Sequence, residues 1–153
     1  MRRKDRELSP ELALSIADRC GYAVLSLVSK DSLPYAVPVS PARMGGYMYF
    51  HCANEGTKTD IMRENPDVCL VCVGNNQPAE DKFTTYFESA IIKGKASEAT
   101  DKEEKIAALR VICEKYTSSN MSDFDNAIER SLDRTAVWKI SIDEITGKAK
   151  VKK

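Results

Sequence analysis

The chain holds little of what the commonest sites are built from. It has 153 residues, with one histidine, His51, and one tryptophan, Trp138. With no second histidine and scattered cysteines, the usual zinc sites are excluded. The five cysteines (Cys20, Cys52, Cys69, Cys72 and Cys113) are odd in number and irregularly spaced, a poor disulfide framework. They read as small buried hydrophobes. Neither sign of charge is in excess: 23 basic residues balance 23 acidic ones. A neutral chain lacks the global basic surplus of a nucleic-acid binder. No apolar run approaches the roughly 20 residues that span a bilayer. The opening MRRKDRE is basic, but no apolar signal core follows, so the sequence reads as cytoplasmic. There is no Ser–His–Asp set, no paired-carboxylate site and no Walker or dinucleotide pattern.

What is present is ordinary globular material. Hydrophobic residues make up 42% and charged residues 30%, a mix that argues against extensive disorder. The length suits one domain, 1–153, and no repeat or linker divides it.

The first helix is signalled over Pro10 to Cys20, with Ser9 as cap, Pro10 at the first position and Gly21 as stop. Three strands follow: Tyr22 to Ser29, Pro34 to Met44 and Tyr47 to Cys52, with Gly45-Gly46 as a tight turn. Their short connections predict an antiparallel meander. A helix over Gly56 to Asn65 ends at Asn65-Pro66. Val68 to Val73 is a buried strand, Asn75 to Lys82 a polar loop, and Thr84 to Glu98 a long strand bent at Gly94. A helix capped by Thr100, with Glu103 completing a capping box, leads to a shorter helix over Ser122 to Leu132. Thr135 to Ile142 is a last strand, before a basic tail. About six antiparallel strands with helices in the connections fit a small barrel.

The most informative stretch is Tyr47 to Asp60, YMYFHCANEGTKTD, a strand that enters a glycine turn and then a helix start. Unpaired backbone N–H groups and a partial positive charge suit that start to a phosphate. Lys58 sits in its first turn, where the helix dipole disfavours a cation by roughly 0.3–1 kcal/mol. A bound anion would reverse that sign; without one, Lys58 is a solvated lysine beside a turn glycine. Thr57 and Thr59 add hydroxyls. On the preceding strand, Tyr47, Tyr49 and His51 share one face and Met48, Phe50 and Cys52 the other, which reads as core. The former face could line a pocket for a planar ring. Cys69 and Cys72 resemble a redox pair, but in a strand positions three apart point to opposite faces, so they read as packing. Three prolines in Pro34 to Pro41 mark an edge strand or the border of a ligand.

These segments match the landmarks of a known family in order: LPYAVPVS, YMYFHCANEGTKTDIMRENPDVCLVCV, YFESAIIKGKASEATDKEEK and VWKISIDEITGKA. The chain resembles the FMN-binding split-barrel proteins related to pyridoxamine 5′-phosphate oxidase, in the branch that includes the nitroimidazole-resistance (Nim-type) proteins. The resemblance implies a mainly β, α+β fold: a six-stranded antiparallel split β-barrel with flanking helices, dimeric, with FMN at the subunit interface. It implies that Lys58 pairs with the FMN phosphate, helped by Thr57 or Thr59. Pro38, Val39 and Ser40 would run along the isoalloxazine ring, and Tyr49, Phe50 and His51 would flank it. Ser89 would lie close to the cofactor, Trp138 would reach across the dimer, and His51 would be the catalytic candidate. The implied activity is reduction of a small planar acceptor such as a nitro-aromatic, with NAD(P)H as donor and no role for nucleic acid or membrane. Two departures point away from vitamin B6 oxidation: Thr57 stands where the oxidases carry a first basic residue, and no arginine–histidine pair closes the chain. Rival readings are a non-catalytic flavin- or haem-binding protein on the same barrel, pyridoxamine-phosphate-oxidase-like activity, and a cofactor-free interaction module.

Overall fold

A computed structural model describes residues 2–151. Nine strand segments and four α-helices follow one another in the order β1 (Glu7–Leu8), α1 (Pro10–Arg19), β2 (Ala23–Val28), β3 (Pro34–Val39), β4 (Ala42–Met44), β5 (Tyr47–Ala53), α2 (Thr57–Glu64), β6 (Asp67–Ala79), β7 (Thr84–Glu98), α3 (Lys102–Tyr116), α4 (Phe124–Ser131), β8 (Thr135–Ser141) and β9 (Glu144–Lys150). Every pairing is antiparallel. The sheet runs β3-β2-β6-β7-β8-β5-β4, with β9 on β7 and β1 on β9. It does not close, and the class is the mainly β split barrel with flanking helices that the resemblance implied.

The split has a local cause. One edge of β7 pairs with β9 over Phe87–Lys93 and with β8 over Ala96–Glu98. Between them lies Gly94, where a Cβ would run into the carbonyl oxygen of Ser141. The Ser141 hydroxyl accepts the Lys95 N–H at 2.9 Å, which fixes the hand-over. A side chain at position 94 would hold the strands apart and leave that exchange unmade.

Several expectations need correction. Pro34 to Met44 is not one strand: it breaks at Ser40-Pro41 into β3 and β4, which do not pair. Proline cannot donate to a ladder, and here the chain crosses from one end of the sheet to the other. The meander therefore resolves into two hairpin pairs, β2–β3 and β4–β5. The supposed loop at Asn75 to Lys82 is mostly strand. After a register shift between Val73 and Asn76, β6 continues to Ala79 against β7. Gly74 leaves the room in which Glu88 turns back, accepting the Asn75 N–H at 2.9 Å and meeting Arg19 at 2.6 Å. The basic tail is β9, read as tail because its apolar residues are few. Asp101, not Thr100, caps α3, accepting the Glu104 N–H at 2.9 Å.

Two apolar clusters hold the elements together. The larger joins α1 (Ala13, Ile16, Ala17) to the inner faces of β2, β6 and β7. The smaller sits beneath α3 and α4, around Tyr49, Leu109, Ile112 and Phe124. The Gly94→Ala change should cost about 3 kcal/mol or more, as expected of a backbone clash in a sheet. Thermal unfolding checks it; an unchanged melting temperature would show that the close approach carries no weight.

Candidate functional site

Strand β5 ends at Ala53, the chain turns through Asn54–Gly56, and α2 begins at Thr57. Gly56 has φ near 145°, which side chains seldom adopt, and nothing lies within 4 Å of where its Cβ would be. Ser9 caps α1 and Asp101 caps α3, but no side chain caps α2. The Asp60 N–H is the first to bond back into the helix, to the Gly56 carbonyl at 3.0 Å. The N–H groups of Thr57, Lys58 and Thr59 precede it and have no intrahelical partner.

The side chains of this turn divide by direction. Thr59 is buried and its hydroxyl donates to the Gly56 carbonyl at 2.6 Å, which stiffens the turn and leaves Thr57, exposed, as the outward hydroxyl. Lys58 is half-buried, and among the described residues it has no ion-pair partner. Burial pushes the neighbouring Cys52 thiol up, and the Lys58 charge opposes that rise. The corner thus presents N–H groups, a hydroxyl and an ammonium together, an arrangement suited to an anion.

Arg63 fastens this corner, and sequence reasoning missed it. Its guanidinium donates to the Asn54 carbonyl at 3.1 Å, lies 3.5 Å from Glu98 and sits over the Trp138 ring at 5.9 Å. One side chain therefore ties the turn to α2, β7 and β8. No motif signals it, because its partners are a backbone carbonyl and residues far along the chain. Pro41 is a second omission. Its carbonyl accepts from Lys115 Nζ and from the Tyr116 hydroxyl, both at 2.8 Å, so the end of α3 pins the β3–β4 crossover.

The candidate site residues fall into four groups. His51, Thr57 and Lys58 belong to the β5–α2 corner, and His51 is exposed. Burial of part of its ring holds its pKa below the ordinary 6.5. Pro38, Val39 and Ser40 lie at the end of β3, whose ladder runs with β2 alone; Pro38 and Ser40 are exposed. Ser89 is half-buried on β7, opposite Val73 and Lys148. The remaining three are inside the chain. Phe50 and Trp138 are in the larger core cluster, Trp138 only 2% exposed and with no partner for its indole N–H among the described residues. Tyr49 is in the smaller cluster, its hydroxyl donating to Glu104 at 2.8 Å, and Lys139 holds that carboxylate at 2.6 Å. Burial and the Glu104 charge push the Tyr49 phenol up to about 12. An open groove of about 840 Å³ lies elsewhere, lined by Val28, Tyr35, Val68, Cys69, Lys93 and Asp143 among others, and by none of the candidate residues.

The fold defines a split-barrel protein, and its strand-to-helix turn gathers hydrogen-bond donors that suit an anion. A sequence model of the pyridoxamine 5′-phosphate oxidase family matches residues 9–149, and the chain belongs to that family. Among solved structures, a Bacteroides thetaiotaomicron protein named for 5-nitroimidazole antibiotic resistance is 26% identical, with a TM-score of 0.77 over 94% of this chain and 86% of that one. A flavocytochrome from Azotobacter vinelandii is 22% identical, with a TM-score of 0.73 over 99% of this chain and 72% of that one. A FAD and haem binding protein from Mycobacterium smegmatis is 16% identical, with a TM-score of 0.81 over 96% of this chain and 74% of that one. The last two speak for the fold. Among curated proteins, none matches the chain. No helix among the described residues is long and apolar enough to cross a membrane.

His51 supplies a test of the corner's polarity. Its pKa is lowered on folding, so around pH 6.5 the unfolded chain binds more protons and stability falls as pH drops through that range. The loss of urea midpoint between pH 8 and pH 5.5 should be smaller in His51→Gln than in the wild type. Equal losses would show that the ring is fully solvated.

Proposed function

We propose that the chain, 1–153, is a single FMN-binding split-barrel domain that works as a homodimer. Its activity is that of an oxidoreductase reducing small planar acceptors such as nitro-aromatics, with NAD(P)H as electron donor. The observation that carries the cofactor reading is the start of α2: no capping side chain, free N–H groups, and Lys58 without a carboxylate among the described residues. A phosphate monoester fits that set, since its oxygens accept from each donor and its charge reverses the penalty on Lys58. Gly56 leaves open space for it. FMN, when bound, supplies the electron transfer; the protein orients it and excludes competing reactions.

In this reading Thr57 and Lys58 hold the phosphate. The exposed backbone at Pro38 to Ser40 borders the ring. His51 is neutral at pH 7, its pKa being lowered, so its imidazole offers one N–H and one lone pair to an acceptor. The neighbour named for nitroimidazole resistance supports the nitro-aromatic class of substrate.

The homodimer reading rests on the sheet's outer face. On β2 the side chains of Ala23, Leu25 and Leu27 turn inward, so Val24 and Val28 turn outward. Val71, Val73 and Ile91 continue that face on β6 and β7. Val28 is 44% and Ile91 38% exposed in the single chain. A contiguous apolar sheet face is covered in most soluble proteins, and a second copy related by a two-fold axis covers it with itself. Ser89 shares this face, which would bring it to the neighbouring chain.

Lys58→Ala should weaken FMN binding by about 1.5–3 kcal/mol, the worth of a charge-assisted contact. Titrating apoprotein with FMN and following flavin fluorescence measures it. Unchanged affinity would refute the phosphate assignment.

A further inference from the structure

Strands β6 and β7 run on past the rest of the sheet. The β2 ladder leaves β6 at Cys72, and the β9 ladder leaves β7 at Phe87. Beyond those points residues 77–79 and 84–86 pair only with each other, a two-stranded arm closed by the turn at 80–83. A hairpin without a third strand is marginal in water. This one carries Phe83 fully exposed at its tip, and no large apolar side chain among the described residues is more exposed. Period two sets the direction of the tip. Ala90 and Ile92 of β7 are core, so Phe87, Ser89, Ile91 and Lys93 turn outward. The extra residue at the register shift is on β6, so the alternation of β7 is unbroken. Phe83, one residue before β7, falls on the outward row. Lys148, opposite Ser89, lies over the Phe87 ring at 5.7 Å, which agrees with that row.

The groove of about 840 Å³ opens on this same outer face, at the end away from the arm. Ser26 pairs with Cys69 and Cys69 with Lys93; these three line the groove together with Val28, Pro34 and Ala36. Between groove and arm runs the apolar row of Val24, Val71 and Ile91. We infer that the arm of one copy docks in the groove of a second copy, in a reciprocal exchange that seats Phe83 beside Val28, Pro34 and Cys69. This rests on the homodimer reading above and gives it a geometry.

The lengths match. Val73 pairs with Ser89 midway along the hairpin, and Asp67 and Ala79 lie six residues to either side of Val73. At the rise of a strand each half is about 20 Å long. A two-fold axis lying between the two faces, and crossing the strands at that level, sets the tip of each copy over the groove of the other. An axis along the strands sets tip on tip instead. That leaves both grooves empty and brings Glu80 and Asp81 against their own counterparts, like charge on like. The crossing arrangement brings Lys82 to Asp143. This groove residue has no ion-pair partner among the described residues, whereas Glu144 and Asp67 are held by Lys93 and Lys95. The two docked arms and the apolar row between them then form one continuous interface.

The test sediments the full chain as wild type and as Phe83→Ser. The wild type should be a dimer. Phe83→Ser should weaken it roughly a hundredfold, about tenfold for each of two buried rings, with circular dichroism unchanged because the ring is exposed in its own chain. Lys82→Cys adds a thiol at the tip beside an intact Phe83. On mild oxidation it should form a disulfide to Cys69 that joins two chains on a non-reducing gel, and Lys82→Cys/Cys69→Ser should lose that band. Within one chain, positions 69 and 82 stand on the order of 30 Å apart along the hairpin, too far for a disulfide. A monomeric wild type would refute the dimer reading and this inference with it. A wild-type dimer that Phe83→Ser leaves at full strength, or an introduced thiol that forms no link to Cys69, would overturn the arm-and-groove contact and leave the dimer reading standing.

Discussion

At Gly94 the backbone of β7 passes so close to Ser141 that no side chain fits between them. This contact lets a single strand edge serve two partners. Below it β7 pairs with β9 and stays with the sheet that packs on α1; above it β7 pairs with β8 and opens the other half. Strand β5 belongs to that second half, paired with β8 along its full length. Its end, and therefore the start of α2, is set by where β8 is allowed to lie. The anion-suited corner is thus a consequence of one glycine about forty residues away in sequence.

The corner itself is a balance of polar groups that the fold leaves unspent. Elsewhere the chain caps two of its helix starts with Ser9 and Asp101, and pairs Arg19 and Arg43 with carboxylates. At Thr57–Lys58 it does neither, while Arg63 and the buried Thr59 hold the backbone still. A cation beside the positive end of a helix is an unfavourable placement that an anion converts to a favourable one. Local rules broken in a rigid setting mark function more often than error.

Much of this was legible in the residues. Pro10, Gly21, the Gly45-Gly46 turn and the Asn65-Pro66 stop place their elements to within a residue or two, because each acts through its own backbone. The order of strands and helices pointed to a small barrel, and the resemblance supplied its split form. What was not legible depends on distant partners. Pro34 to Met44 reads as one extended run, and only the sheet shows that Ser40-Pro41 carries the chain between its two ends. The β9 strand is polar enough to pass for a tail until β7 pairs with it. Period-two alternation put Tyr49 with His51 on an outer face, and it is α3, packed on that face, that buries the tyrosine and leaves the histidine exposed. Arg63 and Lys115 have no signature in sequence at all.

The central claim is that this chain binds FMN through the phosphate at the start of α2. The most direct measurement is the absorbance spectrum of the freshly purified protein, before and after adding FMN and removing the excess. The account predicts a twin-peaked flavin spectrum that stays with the protein at one FMN per chain and bleaches on addition of NAD(P)H. A protein that emerges colourless after FMN treatment, or one that instead shows a Soret band from haem, would contradict it.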